Sequence, residues 1–296
     1  MERRSLTGPG IVVIDKPRGP TSHQVTAWVR EMLGVQAGHT GTLDPDVSGV
    51  LVVMLSTAVR LAPLLAGDMK EYTALMRVHG DVTRDCMEQV LGEFSGRIYQ
   101  RPPRRSAVAR ALRIRTIHHI ELLEFQHRLI LIRVRCDAGT YIRSLCHHIG
   151  LALGTGAHMQ ELRRISSGGY SENAAHTLQE LADAAFIARG GDFGPMESLV
   201  IPAEKAVSGI PSVTIRDTAV DAVCHGAALA GVGIASADPF EKGERVAIFS
   251  KNGELIAIGK ALVPSPPFQP GSPGLVIAPG PVFMPPDTYP RGWIKK

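Results

Sequence analysis

The sequence predicts an α+β fold, with a mixed, largely antiparallel sheet in a first domain and a small β-rich second domain. Strand-like and helix-like segments mix irregularly over the first two thirds of the chain, which argues against a regular parallel βαβ array. From about Pro211 the character changes to short strands and turns, with Asn252-Gly253 placed to join Arg245–Phe249 to Glu254–Ile258 in a hairpin. The chain has 296 residues, 44% of them hydrophobic, enough for one sizeable core and a smaller second one. The expected division is residues 1–208 and 209–296.

Along the chain, Gly10–Ile14 is a short apolar run closed by a Pro/Gly turn at Pro17–Pro20. A helix follows, with Thr21 or Ser22 as N-cap and Gly34 placed to end it. Val25, Trp28, Val29, Met32 and Leu33 fall at helical spacing and are expected in the core, Trp28 included. After the glycine-rich stretch from Gly38 to Gly49, a buried strand should run through Leu55. A helix around Ala58–Leu65 comes next, although Pro63 is tolerated only within a first turn. Tyr72, Ala74, Met76 and Val78 alternate with Thr73, Leu75 and Arg77, which predicts a strand from Lys70 to Gly80. Another strand, Leu129–Cys136, runs into Asp137-Ala138-Gly139-Thr140, where Thr140 reads as the N-cap of a helix reaching about Leu153. Ten prolines crowd Pro264–Pro290, a linker composition, yet Leu275–Ile277 and Val282-Phe283 are apolar enough to return as a closing strand.

Composition narrows the function. The apolar run Val50–Leu55 is far short of the roughly 20 residues that cross a bilayer. No signal-peptide pattern opens the chain, so a soluble cytoplasmic protein is expected. Cysteines stand at 86, 136, 146 and 224 without a Cys-x-x-Cys pair, which indicates neither a disulfide framework nor a zinc knuckle. The His118-His119 and His147-His148 pairs are sequence neighbours that do not converge as metal ligands do, and they read as structural or RNA-facing. Net charge is +4 and the pI about 9.0, favouring an anionic partner. Between Arg97 and Arg115 there are seven arginines and no acidic residue. That stripe is either a solvated basic surface or a phosphate-binding one, and the absence of compensating acids favours nucleic acid.

Two segments could carry chemistry. In Gly38-His39-Thr40-Gly41-Thr42-Leu43-Asp44-Pro45 the glycines make a tight loop, and Pro45 biases Asp44 toward an extended backbone. Asp44 is thus a turn opener or a projected carboxylate. In Gly139-Thr140-Tyr141-Ile142-Arg143 the arginine falls in the first turn of the expected helix, where the dipole disfavours a cation. It is either simply exposed or paired with an acid from elsewhere.

The same segments resemble, in order, the motifs of the TruB family of RNA pseudouridine synthases. Asp15-Lys16-Pro17 with Gly19–His23 is similar to the opening segment, 38–45 to the loop bearing the catalytic aspartate, and Lys70-Glu71-Tyr72 to the second motif. Gly139–Arg143 resembles the third motif, and Leu162-Arg163-Arg164 with Ser167-Gly168 the segment after it. The resemblance spans most of residues 11–205, while Ala222–Ala227 and Lys260-Ala261 look like parts of a PUA RNA-binding domain.

It implies that Asp44 is the catalytic carboxylate and that Arg143 pairs with it. Tyr72 would stack on the flipped uridine, Tyr141 and Leu162 would line the pocket, and Lys16 and His39 would lie close to the loop or backbone. Arg101, Arg104, Arg105, His225 and Gly226 would contact RNA. An isomerisation within one nucleotide implies no cofactor and no metal. The thumb-like insertion of stand-alone bacterial members is missing between Pro102-Pro103 and Gly139, so the resemblance is to the dyskerin-like branch in its archaeal form. Thr40 departs from that pattern, which usually has glycine or serine there. The implied partners are a guide H/ACA RNA, small H/ACA accessory proteins, and target ribosomal or transfer RNA. A stand-alone transfer-RNA T-loop synthase and a purely structural RNA scaffold are the competing readings.

Overall fold

The computed structural model describes residues 7–102, 111–265 and 269–290, and Arg104 and Arg105 of the basic stripe lie outside them. The described residues form two sheets. The first has ten strands: β1 Gly10–Lys16, β2 Ala37–Thr40, β3 Val47–Leu55, β4 Lys70–Val78, β5 Gly96–Gln100, β6 Arg113–Gln126, β7 Leu129–Cys136, β8 Ala157–Ser167, β9 Tyr170–Ser171 and β10 Ile201–Pro202. Its main path is β10-β1-β3-β8-β4-β7-β6-β5, with β2 on β3 and β9 on β8. All of these pairings are antiparallel except β3 with β8. The second sheet holds β11 Ser212–Ile215, β12 Leu229–Ala230, β13 Ile234–Ala237, β14 Arg245–Phe249, β15 Leu255–Ala261 and β16 Leu275–Ala278. The Asn-Gly hairpin forms as expected, with Gly253 at φ +80°.

β1 and β3 are covered on both faces, which is why Val50–Leu55 reads as an unbroken apolar run. On one face Val12, Ile14, Leu51 and Val53 meet helices α1 Ser22–Leu33 and α5 Leu178–Arg189. On the other, Ile11, Val13, Val50 and Val52 share a core with Ala247, Leu255 and Ile258 of the second sheet and with Phe283 beyond its last strand. Thr57 Oγ1 donates to the Phe283 carbonyl at 2.9 Å, and Arg60 donates to the Val282 carbonyl. The sheets are therefore joined by apolar burial and backbone-directed hydrogen bonds.

The remaining helices are α2 Ala62–Leu65, α3 Arg84–Glu93, α4 Ile142–Ala152, α6 Gly194–Leu199, α7 Ala203–Ala206 and α8 Asp217–Cys224. α3 and α4 cover the far half of the first sheet, where Met87, Leu91, Leu145 and Ile149 pack on Met76, Ile130 and Ile132. Among the described residues no helix is long and apolar enough to cross a membrane.

Several local expectations need correction. Trp28 is 40% exposed, because the buried stripe of α1 runs through Ser22, Val25, Thr26, Val29 and Leu33 and leaves Trp28 on its flank. The helix expected over Ala58–Leu65 is a 3₁₀ turn, Ser56–Leu61, followed by α2, which accommodates Pro63 in its own first turn. Thr140 does not cap α4. Its hydroxyl donates back to the Asp137 carbonyl at 2.8 Å, and Tyr141 holds the N-cap position without a side-chain cap. At α1 the cap is Thr21, with Gln24 completing a capping box, and Gly34 ends the helix in the left-handed region.

Candidate active site

The loop carrying Asp44 joins β2 to β3 and is fastened from below. Ser22, fully buried in the first turn of α1, donates to the Leu43 carbonyl at 3.0 Å and accepts from the Leu43 amide at 2.8 Å. Lys16, also fully buried, sends its ammonium to the carbonyls of Pro17 at 2.9 Å and Val47 at 2.8 Å, with Pro45 at 3.4 Å. Burial lowers the Lys16 pKa, while Asp44 and Asp46 draw it back up. Lys16 therefore supports the loop from behind. Arg18 and Gly19 follow the same turn, and the Gly19 amide donates to the Pro45 carbonyl at 2.8 Å.

His39 braces the other side of the loop, its Nδ1 at 2.8 Å from Thr26 Oγ1 and its Nε2 at 3.2 Å from Thr42 Oγ1. Burial, the neighbouring His23 ring and the Arg164 charge lower its pKa and favour the neutral imidazole. Thr40 is buried at the end of β2, opposite Val52.

With its backbone held this way, Asp44 projects its carboxylate outward. Arg143 Nη2 donates to Asp44 Oδ2 at 2.8 Å, across 99 residues of sequence. Both side chains are more than half exposed, so the pair lies at the protein surface, accessible to a large substrate. Arg143 occupies the second position of α4, and the carboxylate opposite it compensates the unfavourable helix dipole there. The turn before α4 is positioned by Gln100, whose side chain accepts from the Tyr141 amide at 2.9 Å and donates to the Tyr141 carbonyl at 3.1 Å. Gln100 gave no signal in the sequence, since a glutamine at a strand end has no pattern of its own.

Strand order brings the other expected residues to the same place. Val47 of β3 pairs with Leu162 of β8, Leu162 pairs with Ala74 of β4, and Tyr72 pairs with Arg164. Leu162 and Tyr72 are half-buried beside one another's strands, and burial raises the Tyr72 pKa, opposed by Arg164. Gly49 permits the parallel contact of β3 with β8, since a Cβ there would lie 2.2 Å from the Arg164 carbonyl oxygen. Two quoted segments also pair with each other. Arg163 donates to both oxygens of Asp15 at 2.9 and 3.1 Å and to Glu172 at 2.9 Å.

Arg101 is exposed at the end of the described basic segment. His225 and Gly226 are not at the loop; they end α8 beside the second sheet, where His225 Nδ1 lies 2.9 Å from the Asp221 carbonyl oxygen and Gly226 takes φ +82°. His118 pairs with Asp137 at 2.8 Å.

The structure thus brings an exposed carboxylate–guanidinium pair together with Tyr72 and Leu162 on the adjoining strands β4 and β8, from four segments far apart in sequence. Comparison with known proteins is specific. Residues 30–142 match the model of the TruB family pseudouridylate synthase N-terminal domain, 143–208 that of the tRNA pseudouridylate synthase B C-terminal domain, and 211–267 that of the PUA domain. The probable tRNA pseudouridine synthase B of Methanosarcina barkeri is 48% identical over 97% of this chain and 86% of its own length. That of Pyrococcus furiosus is 49% identical with the same coverage. Among solved structures, an H/ACA RNP bound to a substrate RNA containing 2'-deoxyuridine has a chain 47% identical, with a TM-score of 0.85 over 96% of this chain and 88% of that one. A Cbf5-Nop10-Gar1 complex has one 49% identical, with a TM-score of 0.84 over 95% and 87%. The chain belongs to the TruB family of pseudouridine synthases, and its enzymatic class is RNA pseudouridine synthase.

Proposed function

We propose that this chain isomerises uridine to pseudouridine as the catalytic subunit of a guide-RNA-dependent H/ACA particle acting on ribosomal RNA in the cytoplasm. The observation that carries the reading is the Asp44–Arg143 pair at 2.8 Å, built from two motifs far apart in sequence. In this proposal Asp44 acts on the target nucleotide while the C1′–N1 bond breaks, the base turns, and a C1′–C5 bond forms. The C5 proton leaves and N1 gains one, so the product is an isomer and the balance needs no redox partner. Arg143 holds the carboxylate in place, Tyr72 offers an aromatic face to the extruded base, and Leu162 and Tyr141 wall the pocket. An aromatic face and an apolar wall offset part of the unstacking cost of about a few kcal/mol.

Residues 1–208 would form the catalytic unit and 209–296 the RNA-binding unit, with His225 and Gly226 among its RNA contacts and Arg101, Arg104 and Arg105 tracking the RNA backbone. Support for the assembly comes from the similar chains found in an RNP with substrate RNA and in a complex with Nop10 and Gar1. A second reading is a stand-alone synthase for the transfer-RNA T-loop; the relatives' names, probable tRNA pseudouridine synthase B, favour transfer RNA as the substrate.

Tritium release from uridine labelled at C5 tests both readings. Wild type and Asp44→Ala are compared on a guided ribosomal-RNA fragment and on unmodified transfer RNA. Release that needs Asp44 and the guide particle is the expected result. Release from transfer RNA by the chain alone would establish the second reading, and release undiminished in Asp44→Ala would sink both.

A further inference from the structure

Arg164 is 1% exposed, and among the described residues no carboxylate pairs with it. An arginine cannot shed its proton to escape burial, so a lone guanidinium in the interior is costly and is expected to be held by specific contacts. Its Nε donates to the Val50 carbonyl at 2.8 Å, which ties it to β3. Tyr72 is the direct cross-strand partner of Arg164, so the two side chains share one sheet face, and the guanidinium charge opposes the burial that raises the Tyr72 pKa. Nη1 lies directly beneath the Asp44 loop, 3.1 Å from where a Cβ on Gly41 would stand. Gly41 has φ +67°, so the loop passes over the guanidinium at a residue with no side chain to hold it off. Nη2 is buried with no hydrogen-bond partner among the described residues.

We infer that Arg164 is a positioning residue for the isomerisation: from inside the fold it holds the side chain of its strand partner Tyr72 and the floor of the Asp44 loop in one arrangement. The inference rests on the roles proposed for Asp44 and Tyr72 and adds what keeps them in one geometry. Asp44 is steadied from outside by Arg143 and Tyr72 from inside by Arg164, so the aromatic face and the carboxylate cannot drift independently. A planar fork suits this task better than an ammonium, because it can reach a carbonyl, a strand partner and a loop at fixed angles.

The test uses the full chain with its guide particle and C5-tritiated target, comparing Arg164→Lys, Arg164→Met, Tyr72→Phe and the Arg164→Met/Tyr72→Phe double variant. Misplacement of a reacting group by about 1 Å can cost about 100-fold, so kcat should fall about 100-fold in Arg164→Met and about 10-fold in Arg164→Lys. KM should stay within about twofold, because RNA binding spans a far larger surface. If Arg164 acts through Tyr72, the double variant should be less impaired than the product of the two single losses by at least about threefold. Arg164→Met at wild-type kcat, or a double variant with simply multiplied losses, overturns the inference. If Arg164→Met does not fold, Arg164→Lys decides alone, and wild-type kcat in that variant is the overturning result. Asp44→Ala, run alongside, separates the cases: release that persists there refutes the proposed function, whereas its loss with an unaffected Arg164 series refutes only the inference.

Discussion

Replacing Arg143 with alanine should abolish most activity while leaving the fold almost as stable as before. The Asp44–Arg143 contact is 2.8 Å long, but the two side chains are 62% and 53% exposed. Exposed ion pairs contribute about 0–1 kcal/mol after screening and side-chain ordering. The first-turn position of Arg143 on α4 subtracts from that, because the dipole there opposes a cation by about 0.3–1 kcal/mol. For a chain of this size, 1 kcal/mol corresponds to about 2–4 °C in Tm, so the melting temperature of Arg143→Ala should stay within about 4 °C of wild type. Losing a preorganised charge contact at a reacting group typically costs about 10²–10³ in kcat, and tritium release should fall by that factor. Arg143→Lys should fall between, since a single contact spans the gap and an ammonium can partly restore it. Circular-dichroism melts and tritium release on the same preparations provide the check. A Tm lowered by more than about 5 °C, or release within about threefold of wild type, would refute the view that this pair serves chemistry and not stability.

Three further outcomes follow from the packing. Gln100→Ala removes both hydrogen bonds to the part-buried Tyr141 backbone, so urea denaturation should show about 1–3 kcal/mol of lost stability, and a loss below about 0.5 kcal/mol would contradict it. Gly49→Ala places a Cβ 2.2 Å from the Arg164 carbonyl oxygen at a backbone φ of +102°, and should cost more than about 3 kcal/mol or prevent soluble expression; a melt within about 2 °C of wild type would count against the tight β3–β8 contact. Lys70 is 3% exposed with no hydrogen-bond partner for its ammonium among the described residues, and burial lowers its pKa from 10.5 to about 8. The unfolded chain thus holds this proton to higher pH than the folded one, so the group's penalty on folding is full below about pH 8 and fades as pH rises toward 10.5. Lys70→Met should therefore be more stable than wild type near pH 7 by up to about 3 kcal/mol, with an advantage that shrinks between pH 8 and 10; an advantage independent of pH would disprove the assignment.

Local rules were enough to read much of the chain. The Asn252-Gly253 turn, the Thr21 and Gly34 ends of α1, the strand expected from Lys70 to Gly80, which ends at Val78, and the strand Leu129–Cys136 depend on neighbours within a few residues, and the structure forms each of them. α3, β5, β8 and α5 carried weaker local signals: in β8, Arg163 and Arg164 interrupt the apolar alternation because each has a polar partner elsewhere in the fold. Trp28 shows the limit of periodicity, since spacing defines a helical face but not how wide a stripe the sheet will cover.

By itself the sequence determined the fold class, the change of character from about Pro211, and the motifs that mark Asp44, Tyr72 and Arg143. Only the tertiary structure decided that Arg143 is one hydrogen bond from Asp44, that Lys16 faces the loop's carbonyls, and that Arg163 pairs with Asp15. It also decided that the buried Arg164 is at once the cross-strand partner of Tyr72 and the neighbour of the loop at Gly41. The physical reason is range. Turn, cap and pleat preferences act over a few residues, whereas these contacts join segments about 30 to 150 residues apart and arise only once the parallel β3–β8 pairing sets the register.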